Sequence, residues 1–519
     1  MVELPPFEHT PLDNIAPTCA KVRASFLSHK TRPLEFRIQQ LRKLYWGFKD
    51  NAELIKEACK RDLGKPEFET YLTEISWCMN DCIWMADRVR QFAKDEPAPD
   101  IPWTNKPLRP RIKKDPLGTA LIIGAYNFPI QLTLGPLIGA IAAGCTAVVK
   151  PSESSPNAAV VIQKILRESL DPECYTCIQG AVPETTALLD QKWDKIFYTG
   201  GEAVAKIIAK KAAETLTPLT LELGGRNPAI VTKHADPRLA ARRLLWAKTL
   251  NAGQVCLSHN CTFVDREILP AFIEEMRKQL QEFYPQGARK SPDYGRIVNL
   301  RQFQRIKKMV DDSNGKIVLG GTMDESDLFI EPTVVQINDM NDSMVTSESF
   351  GPLLPILPVE NLDEAIRIAN ELHDTPLGTY AFGTKAEMEK IISQTRSGGA
   401  SLNDGFFHGS IPTLPFGGVG TSGTGAYRGK ASFDTFTHRR SVTTTPAWIE
   451  GLMAVRYPPY TPQKQKQMKD MNDIKPNFDR EGNPLGWGTW FLSLLGVKSM
   501  AAVVAAVALK LYMQRRSKL

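Results

Sequence analysis

The sequence has no stripe of basic residues. Its formal charge of +7 is spread thinly, with acids beside bases almost everywhere, so no nucleic-acid surface is expected. A disulfide framework is missing too. Nine cysteines are few for 519 residues, and the odd count leaves at least one thiol free, which suits a reducing compartment. Cys174 and Cys177 form a C-x-x-C without the second half of a zinc site, so they read as structural residues and no metal is expected. The opening MVELPPFEHT has acids and prolines where a signal peptide needs a basic region and an apolar core, and it lacks the Arg-rich look of a transit peptide. No internal repeat is found.

What is present divides along the chain. Apolar residues at helical spacing in FRIQQLRKLYWGFKDNAELI predict helices over residues 21–95. A Pro-rich stretch, DEPAPDIPWTNKPLRP, interrupts them. Short apolar strands then alternate with longer helices: TALIIGA, AVVK, KIFYTG and LTLELGG as strands, IQLTLGPLIGAIAAG and NAAVVIQKILRESL as helices. That alternation predicts an α/β fold with a parallel sheet covered on both faces. A second α/β stretch runs from Asn227 to about Tyr427, with a helix around RRLLWAKTLNAGQVC and the strand CTFVD. Residues 455–484 are polar and proline-bearing and read as a linker. From Leu485 to Leu509 the chain is mostly apolar and long enough to cross a bilayer, with Trp487, Trp490 and Tyr512 near its ends. Lys498 at its centre costs roughly 2.5–3.5 kcal/mol on insertion scales. The segment either spans, or bends within one leaflet, or is a core helix; its place after a polar linker favours the membrane.

Several residues are suited to chemistry. Cys256 follows small residues in NAGQVC, where a carbonyl can approach; a cysteine alone is as readily inert core. Glu222 is one charge in the apolar run LTLELGG, either absorbed by packing or tuned as a base. Asn127 lies in GAYNFP at the carboxyl end of a strand, where ligands bind; its amide suits an oxyanion, and equally a turn. Lys150 ends AVVK with Glu153 close behind, a pair able to grip a ribose. Gly200 and Gly201 in YTGGEAVAKI precede a helix start suited to a pyrophosphate, though the segment does not match G-x-G-x-x-G.

GAYNFP, VVKPSE, FYTGG, LTLELGG, NAGQVC, ESFGP and LPFGGVGTSG occur in the order and spacing of the aldehyde dehydrogenase superfamily, which the chain resembles from about Ala20 to Tyr460. LTPLTLELGG, SFDTFTHRRS and VRYPP resemble the class 3 branch, with its membrane-bound fatty aldehyde dehydrogenases and fungal apocarotenal-oxidising enzymes. The resemblance implies a Rossmann-like cofactor domain over 20–224 with a bridging hairpin near 105–118. It implies a catalytic domain over 225–427 and a bridging arm over 428–454. A linker over 455–484 and a membrane segment over 485–511 complete the expectation. It also implies Cys256 as nucleophile, Asn127 and the Cys256 N–H as oxyanion donors, and Glu222 as the base that activates water. Lys150 and Glu153 are implied at the adenosine ribose, Glu348 at the nicotinamide ribose with Phe350 lining that site, and Gly200 and Gly201 at the pyrophosphate helix. The sequence departs from the class 3 pattern at Ala205, where glycine is usual, and Glu202 adds an acid near the expected phosphates.

The expected activity is oxidation of a long apolar aldehyde, fatty or apocarotenal, with NAD or NADP. The expected assembly is a homodimer, anchored by its C-terminal segment with the catalytic body in the cytosol. Two other readings stay open: an acylating dehydrogenase that uses coenzyme A, and an inactive structural homologue. Glu222 argues against the first, and the intact set of candidate residues against the second.

Overall fold

The computed structural model describes residues 3–486, apart from 373, 374 and 475. All of the expected membrane segment beyond Gly486 lies outside the described residues. Among those described, no helix is long and apolar enough to cross a membrane.

Helices occupy the expected N-terminal stretch: Ile15–Leu27, Leu34–Asp50, Ala52–Leu63 and Trp77–Phe92. The residues Leu34–Asp50 buries, among them Ile38, Leu41, Leu44 and Phe48, recur every three or four positions, so one stripe of the helix faces the core. Between the last two helices, Tyr71–Ser76 winds as a π-helix, a form that often accompanies functional sites. Their apolar faces share a core with the helix Gln131–Ala143. That helix is apolar all round, and all 13 of its residues are buried.

The first sheet has six strands, ordered Gly423–Thr424, Leu219–Leu223, Lys195–Gly200, Thr119–Ile123, Thr146–Lys150 and Tyr175–Cys177. All pairs are parallel except the first. The chain enters at Thr119–Ile123, winds outward to one side, and returns to wind outward on the other. The switch point therefore lies between Thr119–Ile123 and Lys195–Gly200, where open α/β sheets bind ligands. Register aligns Ile123 with Lys150 and Tyr198, and Thr199 with Glu222, so the candidate residues of this sheet share one edge.

The second sheet has seven strands, ordered Lys316–Leu319, Thr333–Gln336, Leu353–Val359, His259–Asp265, Asn227–Val231, Gly378–Phe382 and Gly399–Leu402. Only the outermost pair, Lys316–Leu319 with Thr333–Gln336, is antiparallel.

Contacts divide the chain into two compact units. One holds both sheets, in residues up to 95 with 113–440; the other holds 96–112 with the residues from 441 on. In the second unit Glu96–Pro97 pairs antiparallel with Arg111 and Ile112, and Thr444 N–H donates to Leu108 O at 2.7 Å. A helix, Pro462–Asn472, stands inside the stretch read as a linker.

Candidate active site

The helix Pro237–Thr249 ends in a turn that takes an unusual backbone path. Asn251, Ala252 and Gly253 have φ of 51°, 51° and 75°, three left-handed residues in succession. A left-handed non-glycine residue costs roughly 1–2 kcal/mol, so this turn must be held from outside. Amides hold it. Asn251 Nδ2 donates to Asn127 O at 2.8 Å and to Gln254 O at 3.1 Å, and Asn251 N–H donates to Glu69 Oε2 at 2.9 Å. Gln254 Nε2 donates to Asn251 O at 3.0 Å and Arg296 O at 2.9 Å, while its oxygen accepts from Val298 N–H at 3.0 Å. At Gly253 a Cβ would lie 2.2 Å from Gly351 O, so only glycine fits.

The turn delivers Cys256 to the amino end of the strand His259–Asp265. Asn227 Nδ2 holds the far side, donating to Cys256 O at 2.8 Å and Ser258 O at 3.0 Å. Of the nine cysteines, all free, Cys256 is half-buried and the other eight are buried. Desolvation, then the Glu348 and Glu222 carboxyls, push its thiol up to about 12; the N–H groups of Leu257 and Cys256 pull the other way. Asn127 is buried, and its Nδ2 donates to Gln254 O at 3.0 Å, which sets its amide beside the turn.

Glu222 lies opposite Thr199 and Gly423 at the edge of the first sheet. It is 3% exposed, and neither carboxylate oxygen has a hydrogen-bond partner among the described residues. Burial without a partner raises its pKa well above the usual carboxylate range. A cavity of about 320 Å³ opens beside Cys256. Its walls include Leu132, Trp246, Val255 and Leu257, together with Phe128, Phe406, Phe407 and Phe416. Leu72 and Phe407 line it and are also exposed, so the cavity reaches the surface.

The remaining candidates are the residues expected around a nucleotide. Lys150 Nζ donates to Pro151 O and Glu153 Oε2, each at 2.9 Å. Burial pushes the Glu153 carboxyl up, but the Lys150 ammonium and its hydrogen bond outweigh that and hold it below its usual range. Past the end of the strand Lys195–Gly200, a Cβ at Gly201 would meet nothing within 4 Å, so the start of the helix Glu202–Ala213 is open to a ligand. Ala205 is buried within that helix, and the Glu202 carboxylate is drawn to Lys206 Nζ at 2.6 Å. Glu348 Oε1 is buried without a hydrogen-bond partner among the described residues. Burial lifts its carboxyl to about 7, against the Gly225 N–H, Arg305 and Lys248. A Cβ at Gly224 would lie 2.4 Å from Glu348 Oε2, so that carboxylate needs glycine beside it. Phe350 meets the Tyr126 ring edge-on at 5.9 Å. An orphaned acceptor at Glu348, the Lys150–Glu153 pair and an open helix start fit a nicotinamide nucleotide.

Sequence reasoning missed the amides that build the turn. Asn251 and Gln254 both stand in NAGQVC, and two amides three residues apart in an otherwise small-residue motif are a usable signal for a hydrogen-bonded turn. It also missed Lys65 and Glu74. Both side chains are 0% exposed and pair at 2.7 Å. Lys65 Nζ stands 4.0 Å from the Phe128 ring centroid, and Glu74 accepts from Gln131 N–H at 2.9 Å. No local pattern marks that pair.

The sequence matches the aldehyde dehydrogenase family over residues 9–442. The beta-apo-4'-carotenal oxygenase of Neurospora crassa is 51% identical over 526 residues, covering 99% of each chain. The dimeric NADP-preferring aldehyde dehydrogenase of Canis lupus familiaris is 41% identical over 86% of this chain and 98% of its own. The substrate-bound Staphylococcus aureus AldH superposes with a TM-score of 0.85 at 38% identity, over 88% of this chain and 99% of that one. The chain therefore belongs to the aldehyde dehydrogenase family, the oxidoreductases that oxidise aldehydes with NAD or NADP, and its likeness is to the class 3 branch.

Proposed function

We propose that this enzyme oxidises a long apolar aldehyde, an apocarotenal first among them, to the carboxylic acid through Cys256. One observation carries the reading. The apolar walls of the cavity converge on the one cysteine of nine that is not fully buried. At about 320 Å³ the cavity sits near the lower end of ligand sites. It holds the reacting end of a long chain, and the remainder extends past Leu72 and Phe407 at the mouth. The 51% identity to a carotenal oxygenase along the whole chain supports the polyene over the alkyl chain.

The chemistry follows from the residues present. The Cys256 thiol loses its proton to water at the open cavity, and the thiolate attacks the aldehyde carbon; the C–S bond forms and the carbonyl pair moves to oxygen. Asn127 Nδ2 and the Cys256 N–H stabilise that oxyanion. When bound, the nicotinamide supplies the acceptor for the hydride that the substrate carbon loses. Lys150, Glu153 and Glu348 would hold the nucleotide's riboses, Phe350 would line the nicotinamide site, and Gly200 and Gly201 would flank its phosphates. The acyl group is then a thioester on Cys256. Glu222 takes a proton from water, the water oxygen attacks the acyl carbon, and the C–S bond breaks to release the acid. NAD is favoured over NADP, because the Glu153 carboxylate accepts from a 2′-hydroxyl and repels a 2′-phosphate. The same reading makes the enzyme a homodimer and makes residues 485–511 a membrane anchor, with the catalytic body on the cytosolic side.

Steady-state rates on a panel from short aliphatic aldehydes to an apocarotenal, with and without coenzyme A, test this. The expected outcome is kcat/KM rising with apolar length, free acid as product, and no dependence on coenzyme A. An acyl-coenzyme A product assigns the acylating reaction instead, and a flat length profile removes the long-chain substrate.

A further inference from the structure

The cavity wall carries one feature that neither the thiol chemistry nor the nucleotide uses. Arg428, 3% exposed, lines the cavity beside Trp77 and Asp81. Its guanidinium carbon stands 3.8 Å from the Trp77 ring centroid, so one flat face is stacked on the indole. One edge is held by Asp81 Oδ1 at 3.3 Å and the backbone Gly409 O at 3.5 Å. Arg428 Nε and Trp77 Nε1 are both buried without an acceptor among the described residues. The backbone at Arg428 is left-handed, with φ 72°, and its N–H donates to Ser432 Oγ at 2.7 Å. A strained backbone and a desolvated cation are costly in an apolar cavity. Burial works against the charge on both partners, lowering the Arg428 pKa and raising Asp81 to about 6.

Asp81 offsets the charge of Arg428, so the pair is a poor site for a free anion. What remains is a flat, delocalised cation on a residue of the cavity wall, with Arg428 Nε and Trp77 Nε1 lacking acceptors among the described residues. A saturated chain gives these groups nothing. A conjugated chain offers an electron-rich π-cloud, which attracts a cation face and is a weak acceptor for N–H.

We infer that Arg428 is a specificity-determining residue, whose guanidinium, stacked on Trp77, binds the conjugated double bonds of a polyenal. The inference rests on the reading that a long aldehyde enters this cavity and reacts at Cys256. It adds the means by which the enzyme separates conjugated aldehydes from saturated ones of equal length.

The test is the ratio of kcat/KM for a polyenal to that for the saturated aldehyde of the same carbon count. The ratio is independent of the fraction of folded enzyme. It is measured in wild type, in Arg428→Lys, and in Arg428→Met combined with Asp81→Asn, which leaves no unpaired buried charge. The double variant is expected to lower the ratio about tenfold, the range of a desolvated cation–π contact. Arg428→Lys keeps the charge and the Asp81 pairing but loses the planar face, and is expected to lower it by about threefold. It carries the reading should the double variant not fold. An unchanged ratio in the variants overturns the role of Arg428. Selective loss of aldehydes with a terminal carboxylate, at constant ratio, overturns it in favour of an anion site. A wild-type enzyme inactive on the polyenal overturns the proposed substrate instead.

Discussion

Glu222 is a carboxyl in an apolar strand with no hydrogen-bond partner for either oxygen among the described residues. Burial alone raises its pKa well above the usual carboxylate range. A group whose folded pKa lies above its unfolded value stabilises the fold at low pH, and that contribution falls away as pH rises through the unfolded pKa and beyond. Glu222 therefore costs stability at neutral pH, the usual exchange at a site kept for chemistry. Glu222→Gln keeps the shape and removes the titration. The variant is expected to melt at a higher temperature and to give a burst of about one reduced nicotinamide per site, then slow turnover. Stopped-flow absorbance reads the burst. Its absence would mean that Glu222 acts before hydride loss, on the thiol.

At the scale of elements, the turn Leu250–Gly253 and the buried Lys65–Glu74 pair share one acceptor: Asn251 Nδ2 and Lys65 Nζ donate to Asn127 O at 2.8 and 3.5 Å, and Glu74 stands in the π-helix Tyr71–Ser76. Lys65 and Glu74 tie the chain after the helix Ala52–Leu63 to the start of Gln131–Ala143, through Gln131 N–H. Removing one partner of a buried ion pair leaves an uncompensated charge and typically costs about 3–5 kcal/mol. Lys65→Met is expected to lower the urea midpoint accordingly. Adding Glu74→Gln should recover part of the loss, because a neutral amide oxygen still accepts from Gln131. A single-variant cost below about 1 kcal/mol would show that Glu74 takes up a proton instead of remaining charged.

For the whole molecule, the proposed anchor and the proposed substrate belong together, since a bilayer concentrates long apolar aldehydes. Truncation after Pro484 is expected to release active enzyme into the soluble fraction. The loss should fall on water-insoluble aldehydes more than on short ones. Full-length protein that stays soluble without detergent, or that salt alone washes off, rules out a hydrophobic anchor. Lys510, Arg515, Arg516 and Lys518 follow the apolar run. A spanning tail carries those charges across the membrane against the positive-inside bias, and a bent one returns them to anionic headgroups. Protease protection of a C-terminal tag separates the two.

The sequence by itself determined the elements and the family. TALIIGA, AVVK and KIFYTG are strands because short apolar runs flanked by helical periods have no other stable place, and the structure has them as neighbours in one parallel sheet. The order of seven motifs was enough for aldehyde oxidation, and each nominated residue falls at an element end or in the turn its neighbours permit. Tertiary structure alone decided what surrounds those residues. Asn127 and Gln254 bond across 127 positions, and Arg428 and Asp81 across 347. Spacing and turn preference act over a few residues, whereas the partner of a buried charge and the wall of a cavity are set by which helices and strands pack together. For that reason Cys256 was legible from its motif, while Arg428, an unremarkable arginine in GAYRGK, acquires meaning only where the fold stacks it on Trp77 inside an apolar cavity.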